Sequence, residues 1–184
     1  MADEVIDIVD EDNNIVGKEL KSKAHRNGHW HKAIHIWIYN SEGEILLQRR
    51  ALDKDSYPGM WTHAVGGHIS SGEDPETAAL REAVEEIDLN IKKKDLEFYK
   101  IRKDTDVVAE DFLDNEFDYV YLVKFNGSVN DLELQEEEVY DVKFISQDKL
   151  KKDLKENPDK YIPCYDYWSE MIGVVESLTS KNLN

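Results

Sequence analysis

The chain has 184 residues, 40 acidic against 23 basic, and a net charge of −17, which disfavours a nucleic-acid polymer or an acidic membrane surface, because phosphates are held by clustered Lys and Arg. The length suits one domain over residues 1–184, and a lone cysteine, Cys164, permits no internal disulfide. The first residues lack both a basic stretch and an apolar signal core, and the longest apolar run, Ala33 to Tyr39, is interrupted by His35 and far too short to span a membrane, so the expected compartment is the cytoplasm.

Val5 to Val9, a polar turn, and Ile15 to Gly17 predict an opening hairpin. Residues 18 to 28 are polar and basic and close on Asn27-Gly28, a turn signal. Trp30 to Tyr39 and Ile45 to Arg50 predict strands joined by a turn at Ser41 to Glu44, and Pro58-Gly59 marks a loop before a strand from Trp61 to Val65. Asp95 to Ile101 and Phe117 to Phe125 read as further strands, the second aromatic and β-branched. An acidic run over residues 131 to 138 leads to a short strand around Val142 to Ile145, then helices over Gln147 to Lys155 and Tyr165 to Leu178. Mostly strands with helices placed against them predict an α+β fold.

One helix stands apart. Asp74-Pro75 is a helix-start signal, and Leu80, Ala83, Val84 and Ile87 recur at one-face spacing to about Asp88, predicting an apolar stripe toward the core. Glu82, Glu85 and Glu86 then stand at i, i+3, i+4 on the other side. Each like-charge pair costs about 0.2–0.5 kcal/mol, and all three lie in the half of the helix where the macrodipole prefers cations. A bound divalent cation reverses both penalties, and oxygen donors suit Mg2+ or Mn2+. A solvated acidic face is the plainer alternative.

Gly67, Glu73 and the run Arg81-Glu82-Ala83-Val84-Glu85-Glu86-Ile87-Asp88-Leu89 resemble the Nudix box of the Nudix hydrolases. The resemblance implies an α/β/α sandwich with a mixed central sheet, Mg2+ or Mn2+ as cofactor, and a small-molecule diphosphate substrate. It makes Glu82 and Glu86 the metal ligands, with Glu85 beside them and the Gly67 carbonyl as an addition. Arg81 is expected to brace the loop by pairing with Glu73. Family members usually have glycine at Asp88, so altered helix-end geometry is expected there. The general base is left open between Glu85 and Glu116, with Glu82 the third catalytic candidate. Arg49, Arg50 and Lys54, next to Pro58-Gly59-Met60-Trp61, are candidates for gripping the diphosphate.

The six histidines fall in two groups, His25, His29, His31 and His35, then His63 and His68. Singly, each is more often structural than a ligand. From Val5 to Glu73 the chain resembles the branch containing type I isopentenyl-diphosphate isomerases and their hydrolase-like relatives. That resemblance implies a second metal site at His25, His31 and His68 with Asp114 and Glu116. The isomerases have a catalytic cysteine at the position of Gly66, and glycine supplies neither acid nor base. The reading is therefore a hydrolase on an isomerase-like frame, with an isomerase or an idle nucleotide-binding sensor as the alternatives. The substrate is expected to depend on loops Ala51 to Tyr57 and Ile101 to Leu113. Cys164 and the tryptophans Trp30, Trp37, Trp61 and Trp168 are expected to pack in the core or pocket wall.

Overall fold

The strand that the rest of the sheet is built on is β3 (His31–Tyr39). A computed structural model describes residues 3–180, so the first two and last four residues of the expected 1–184 unit lie outside the described residues. Among the described residues, nine strands form one sheet. The expected opening hairpin is present as β1 (Val5–Val9) and β2 (Ile15–Leu20). β4 (Ile45–Arg50) and β6 (Val65–His68) run antiparallel to β3, while β8 (Phe112–Lys124) runs parallel to it, with His31 opposite Glu116. β9 (Val139–Ile145) pairs with β4, and β7 (Leu96–Ala109) pairs only with β8. The sheet is mixed.

Strand alternation sorts β3 into two cores. Ile34, Ile36 and Ile38 meet Ala78, Ala79, Ala83 and Ile87 of α2 (Pro75–Ile87), whereas Trp37 and Tyr39 meet Leu150 of α3 (Gln147–Glu156) and Trp168, Met171, Ile172 and Val175 of α4 (Tyr165–Ser180). Full burial stabilises each isoleucine by about 1.5–3 kcal/mol. Helices on both faces of a mixed sheet make the α/β/α sandwich that the resemblance implied, within the expected α+β class.

Three local readings need correction. Residues 21 to 27 form a helix, α1 (Lys21–Asn27), ended by Gly28 at φ 64°. The strand expected over Trp61 to Val65 breaks at His63-Ala64 into β5 (Trp61–Thr62), paired with β4, and β6, paired with β3. The expected loop from Ile101 to Leu113 is the far end of the β7–β8 hairpin. There Lys100, Arg102, Asp104 and Asp106 point inward and Ile101, Lys103 and Val107 outward, so an apolar-in pattern is missing because this wall faces a cleft and not a core.

The helix α2 starts as expected, with the Asp74 carboxylate accepting from the Thr77 amide at 3.1 Å. Its inner face is rotated from the predicted stripe: Val84 is 40% exposed, and Glu86 is 4% exposed among Ala79, Ala83 and Ile87. The glutamates therefore do not share one outer surface. Small alanines let the helix lie close to β6, where Glu86 Oε2 accepts from the Gly66 amide at 3.4 Å. Asp88 adopts a left-handed cap, φ 50° and ψ 35°, with its amide on the Val84 carbonyl and the Leu89 amide on that of Ala83. This is the ordinary helix ending and not the altered one expected.

An aspartate in that conformation, at the negative end of a helix, is strained relative to glycine. Asp88→Gly is expected to stabilise the fold by about 0.5–1 kcal/mol, raising the melting temperature by about 1–4 °C. A lower melting temperature would show that the Asp88 side chain itself supports the helix end.

Candidate active site and metal centres

The acidic helix and the glycine pair meet with no room between them. A Cβ on Gly67 would lie 2.2 Å from the Glu82 carboxyl carbon, and one on Gly66 would lie 2.4 Å from His63 Nε2. Successive residues of a strand face opposite sides, so β6 is a thin partition with Glu82 against one face and His63 against the other. Arg81 ties the box together: its guanidinium donates to both Glu73 oxygens (3.0 and 2.9 Å), to Glu82 (2.8 Å), to Glu85 (3.0 Å) and to the His68 carbonyl (3.1 Å). Glu73 would be raised by burial alone, but the Arg81 hydrogen bonds and charge hold it below the usual range. The expected Arg81–Glu73 brace is thus present.

Electrostatics inside the box fit a hard cation. Burial pushes Glu82 up to about 7 against the pull of Arg81, with Glu85 adding repulsion. Burial and the Glu82 charge lift Glu86 well above the carboxylate range. Both acids are held out of water, with Arg81 countering Glu82 and Arg50 countering Glu86 only in part, and oxygens are the donors on offer. Gly67 presents only backbone to Glu82. Mg2+ or Mn2+ supplies the missing positive charge for such a donor set. Glu85 differs in standing at the rim, its side chain 51% exposed.

Across the partition, histidines converge from three elements. α1 carries His25, stacked on Phe112 with centroids 4.3 Å apart; β3 carries His31; β6 carries His68. Asn115 donates to the Gly28 carbonyl at 2.8 Å and seats α1 on the start of β8. Asp114 Oδ1 lies 3.3 Å from His25 Nδ1 and 3.7 Å from His31 Nε2, and Glu116 Oε1 lies 3.3 Å from His31 and 3.5 Å from His68. The structure therefore brings all five expected residues together. His31 Nδ1–H donates to the His29 carbonyl at 2.9 Å, which leaves Nε2 as the lone-pair nitrogen. Among the described residues, His31 Nε2, His25 Nδ1 and Asp114 Oδ1 are buried with no hydrogen-bond partner. One ligand atom each from His25, His31, His68 and Asp114 lie within 4.8 Å of one another. Imidazoles with carboxylates fit a borderline ion such as Mn2+ or Zn2+.

Burial holds His31 below its ordinary value and His68 well below it, with the neighbouring His31 adding to the effect on His68. Glu116 is raised well above the carboxylate range by burial and by Asp114 and Asp118, while the proximity of His25, 3.3 Å away, keeps Asp114 low despite burial.

Both centres open on one cleft of about 1470 Å³. Arg50 lines it, fixed by donation to the Ser56 carbonyl at 2.9 Å and hydroxyl at 2.7 Å. Lys54 also lines it and pairs with Glu138. Arg49 is on the opposite face of β4, donating to the Gly59 carbonyl at 2.8 Å and lying over Tyr140. Alternation divides the arginine pair, and Arg49 does not line the cleft. Trp37 and Trp168 are core, while Trp61 lies under Lys143 at 3.7 Å. Cys164 borders the cleft, its thiol pushed up to about 12 by burial.

Sequence reasoning missed the far wall of the cleft: His35, His63, Arg102, Tyr167 and, behind them, Asp118. The signal was available in Asp114, Glu116 and Asp118 at every second residue of β8, where Glu116 pairs with His31 and Asp118 with Ala33, two residues before His35 on the same face of β3.

The NUDIX domain family matches residues 29–165. The chain is 30% identical over 159 residues to the isopentenyl-diphosphate Delta-isomerase of Serratia proteamaculans, covering 86% of each. It is 33% identical over 171 residues to Nudix hydrolase 3 of Arabidopsis thaliana, covering 90% of this chain but only 22% of that longer protein. Among solved structures it resembles a Deinococcus radiodurans protein with a TM-score of 0.63 at 23% identity, over 84% of this chain and 90% of the other. Among the described residues no helix is long and apolar enough to cross a membrane.

The two groups of buried residues act oppositely on metal-free stability. His31 and His68 have folded values below their unfolded ones, so the unfolded chain takes up protons first and stability falls as pH drops through about 6.5. Glu82 and Glu86 have raised values, so their unfolded forms release protons first and stability falls as pH rises from about 4.5, through about 7 for Glu82. In EDTA, Glu86→Gln is expected to melt higher than the parent protein at pH 8, and Mg2+ is expected to raise the parent's melting temperature more at pH 8 than at pH 5. An unchanged or lower value for Glu86→Gln at pH 8 would mean that Glu86 is not strained by burial.

Proposed function

The chain belongs to the Nudix family of enzymes, and from that premise we propose that it hydrolyses a diphosphate linked to an organic group, a nucleoside or a small metabolite, with Mg2+ or Mn2+ as cofactor. Carrying this reading is the pairing of Glu82 and Glu86, two desolvated carboxylates pressed on a glycine strand at the mouth of the cleft. In this assignment Glu82 and Glu86 hold the cation, with the Gly67 carbonyl in reach of the same space. Bound there, a divalent ion neutralises diphosphate oxygens and lowers the pKa of water. Arg81 keeps the box in register through Glu73, while Arg50 and Lys54 hold the substrate's phosphates. Water attacks one phosphorus and the phosphoanhydride bond to the leaving phosphate breaks. Glu85 is assigned as general base, because it stands at the solvent-facing rim where water enters, whereas Glu116 is committed to His31 and His68. His25, His31, His68, Asp114 and Glu116 are assigned to a second, borderline cation. A lone cysteine suits a reducing compartment, in keeping with a cytoplasmic enzyme.

Isomerisation is the second reading, favoured by the likeness to the Serratia isomerase. Against it stands the space at Gly66. A side chain there that carried the acid or base would have to displace His63, whose Nε2 lies 2.4 Å from where its Cβ would be.

A panel of nucleoside and metabolite diphosphates assayed with Mg2+ is expected to contain a hydrolysed substrate, and Glu86→Gln is expected to lose at least about 10²-fold in kcat/KM. Wild-type activity in that variant would remove the box from the mechanism. Neither the parent protein nor Gly66→Cys is expected to convert isopentenyl to dimethylallyl diphosphate. Conversion by the parent would establish the isomerase.

A further inference from the structure

β3 and β8 present their polar side chains as a ladder, and the histidine site already described uses only its first rungs. The next rung holds His35, Glu116 and Asp118, each offering one ligand atom within 4.8 Å of the others. We propose that these three residues bind a further divalent cation of the borderline class, Zn2+ or Mn2+, with Glu116 bridging it to the ion of the His25, His31, His68 and Asp114 site. Part of this assignment rests on the occupancy proposed for that first site.

Asp118 carries the case. The residue is fully buried, and its Oδ1 has no hydrogen-bond partner, although a carboxylate oxygen out of water demands one. Arg102 does not meet that demand: its Nη1 donates to Oδ2 at 2.8 Å, and its Nη2 turns to Asp104 at 2.7 Å. His35 Nε2 lies 3.7 Å from Oδ1. That is too long for a hydrogen bond, but two ligands each about 2.1 Å from one tetrahedral ion stand roughly 3.4 Å apart.

The surroundings of His35 suit a ligand. Its Nδ1 is 3.2 Å from the Tyr167 hydroxyl, which is itself anchored by the Trp37 indole N–H at 2.9 Å. With Nδ1–H donating to that oxygen, Nε2 turns its lone pair toward Asp118, the outer-shell arrangement that fixes metal-binding imidazoles. His63 lies against the same ring, tilted by 35° with centroids 3.8 Å apart. His35 and Glu116 both line the cleft, so three protein donors leave a coordination position facing the substrate. Three donors and an open position are the pattern of catalytic rather than structural sites.

Zinc stoichiometry tests this on the full chain, by equilibrium dialysis at pH 8 with Mg2+ in excess to fill the glutamate box. The parent protein is expected to bind one zinc ion more than His35→Gln and one more than Asp118→Asn, which keeps an oxygen for Arg102. His68→Ala is expected to lose the other ion. Were Asp118 only the partner of Arg102, Asp118→Asn and His35→Gln would keep the parent stoichiometry, and the assignment would fall. If His68→Ala also kept the parent stoichiometry, the first site would fall as well, separately from this one. A variant that misfolds is recognised by its circular dichroism, and the Co2+ absorption spectrum of the parent protein then decides: saturation at a single equivalent across the two sites overturns the further ion.

Discussion

Two consecutive residues without a Cβ set the geometry on which the site depends. At Gly66 and Gly67 the strand β6 is reduced to bare backbone, and each face is met by a side chain that any larger residue would displace, His63 at 2.4 Å and the Glu82 carboxyl at 2.2 Å. Close approach of this kind is a use of glycine independent of left-handed dihedrals. It brings the acidic helix and the histidine ladder to opposite sides of a wall one strand thick. Because β6 is hydrogen-bonded along β3, the wall is rigid, and the two groups are fixed relative to each other by the central strand of the sheet.

Charge placement follows from that closeness. Glu82, Glu86, Glu116 and Asp118 are all held where carboxylates are poorly solvated, and Arg81 and Arg102 each neutralise only part of the charge around them. A sequence selected for stability alone would replace several of these acids with apolar residues, since unpaired buried charge is costly. Part of the negative charge of the chain is thus placed where cations and a phosphorylated substrate can use it together.

What was legible in the sequence was whatever repeats or punctuates. Val5 to Val9, Ile45 to Arg50 and the Asp74-Pro75 helix start match the structure closely, because alternation, turn residues and caps act locally. The five residues expected to form the histidine site do converge, on the strength of resemblance and not of pattern. Short α1 escaped notice because seven residues offer little helical periodicity and Leu20 gives no side-chain cap. The full length of β7 escaped because its inward face carries Lys100, Arg102, Asp104 and Asp106, so hydrophobic alternation ends where the cleft begins. The split between Arg49 and Arg50 was readable from strand alternation, and it required knowing which face of β4 was open.

The parallel pairing of β3 with β8 joins segments far apart in the chain, with the whole acidic helix and the β7 strand between them. Closing so large a loop is entropically costly, and parallel pairing at this separation is slow to form. His31 meets Glu116 only once that pairing is in register, so the ligand set does not exist in any partly folded chain that lacks it. A cation taken up there binds the finished topology in preference to its precursors. Ion uptake there would mark the end of folding, and the same ion would work against the reopening of the central strands on which both halves of the site are mounted.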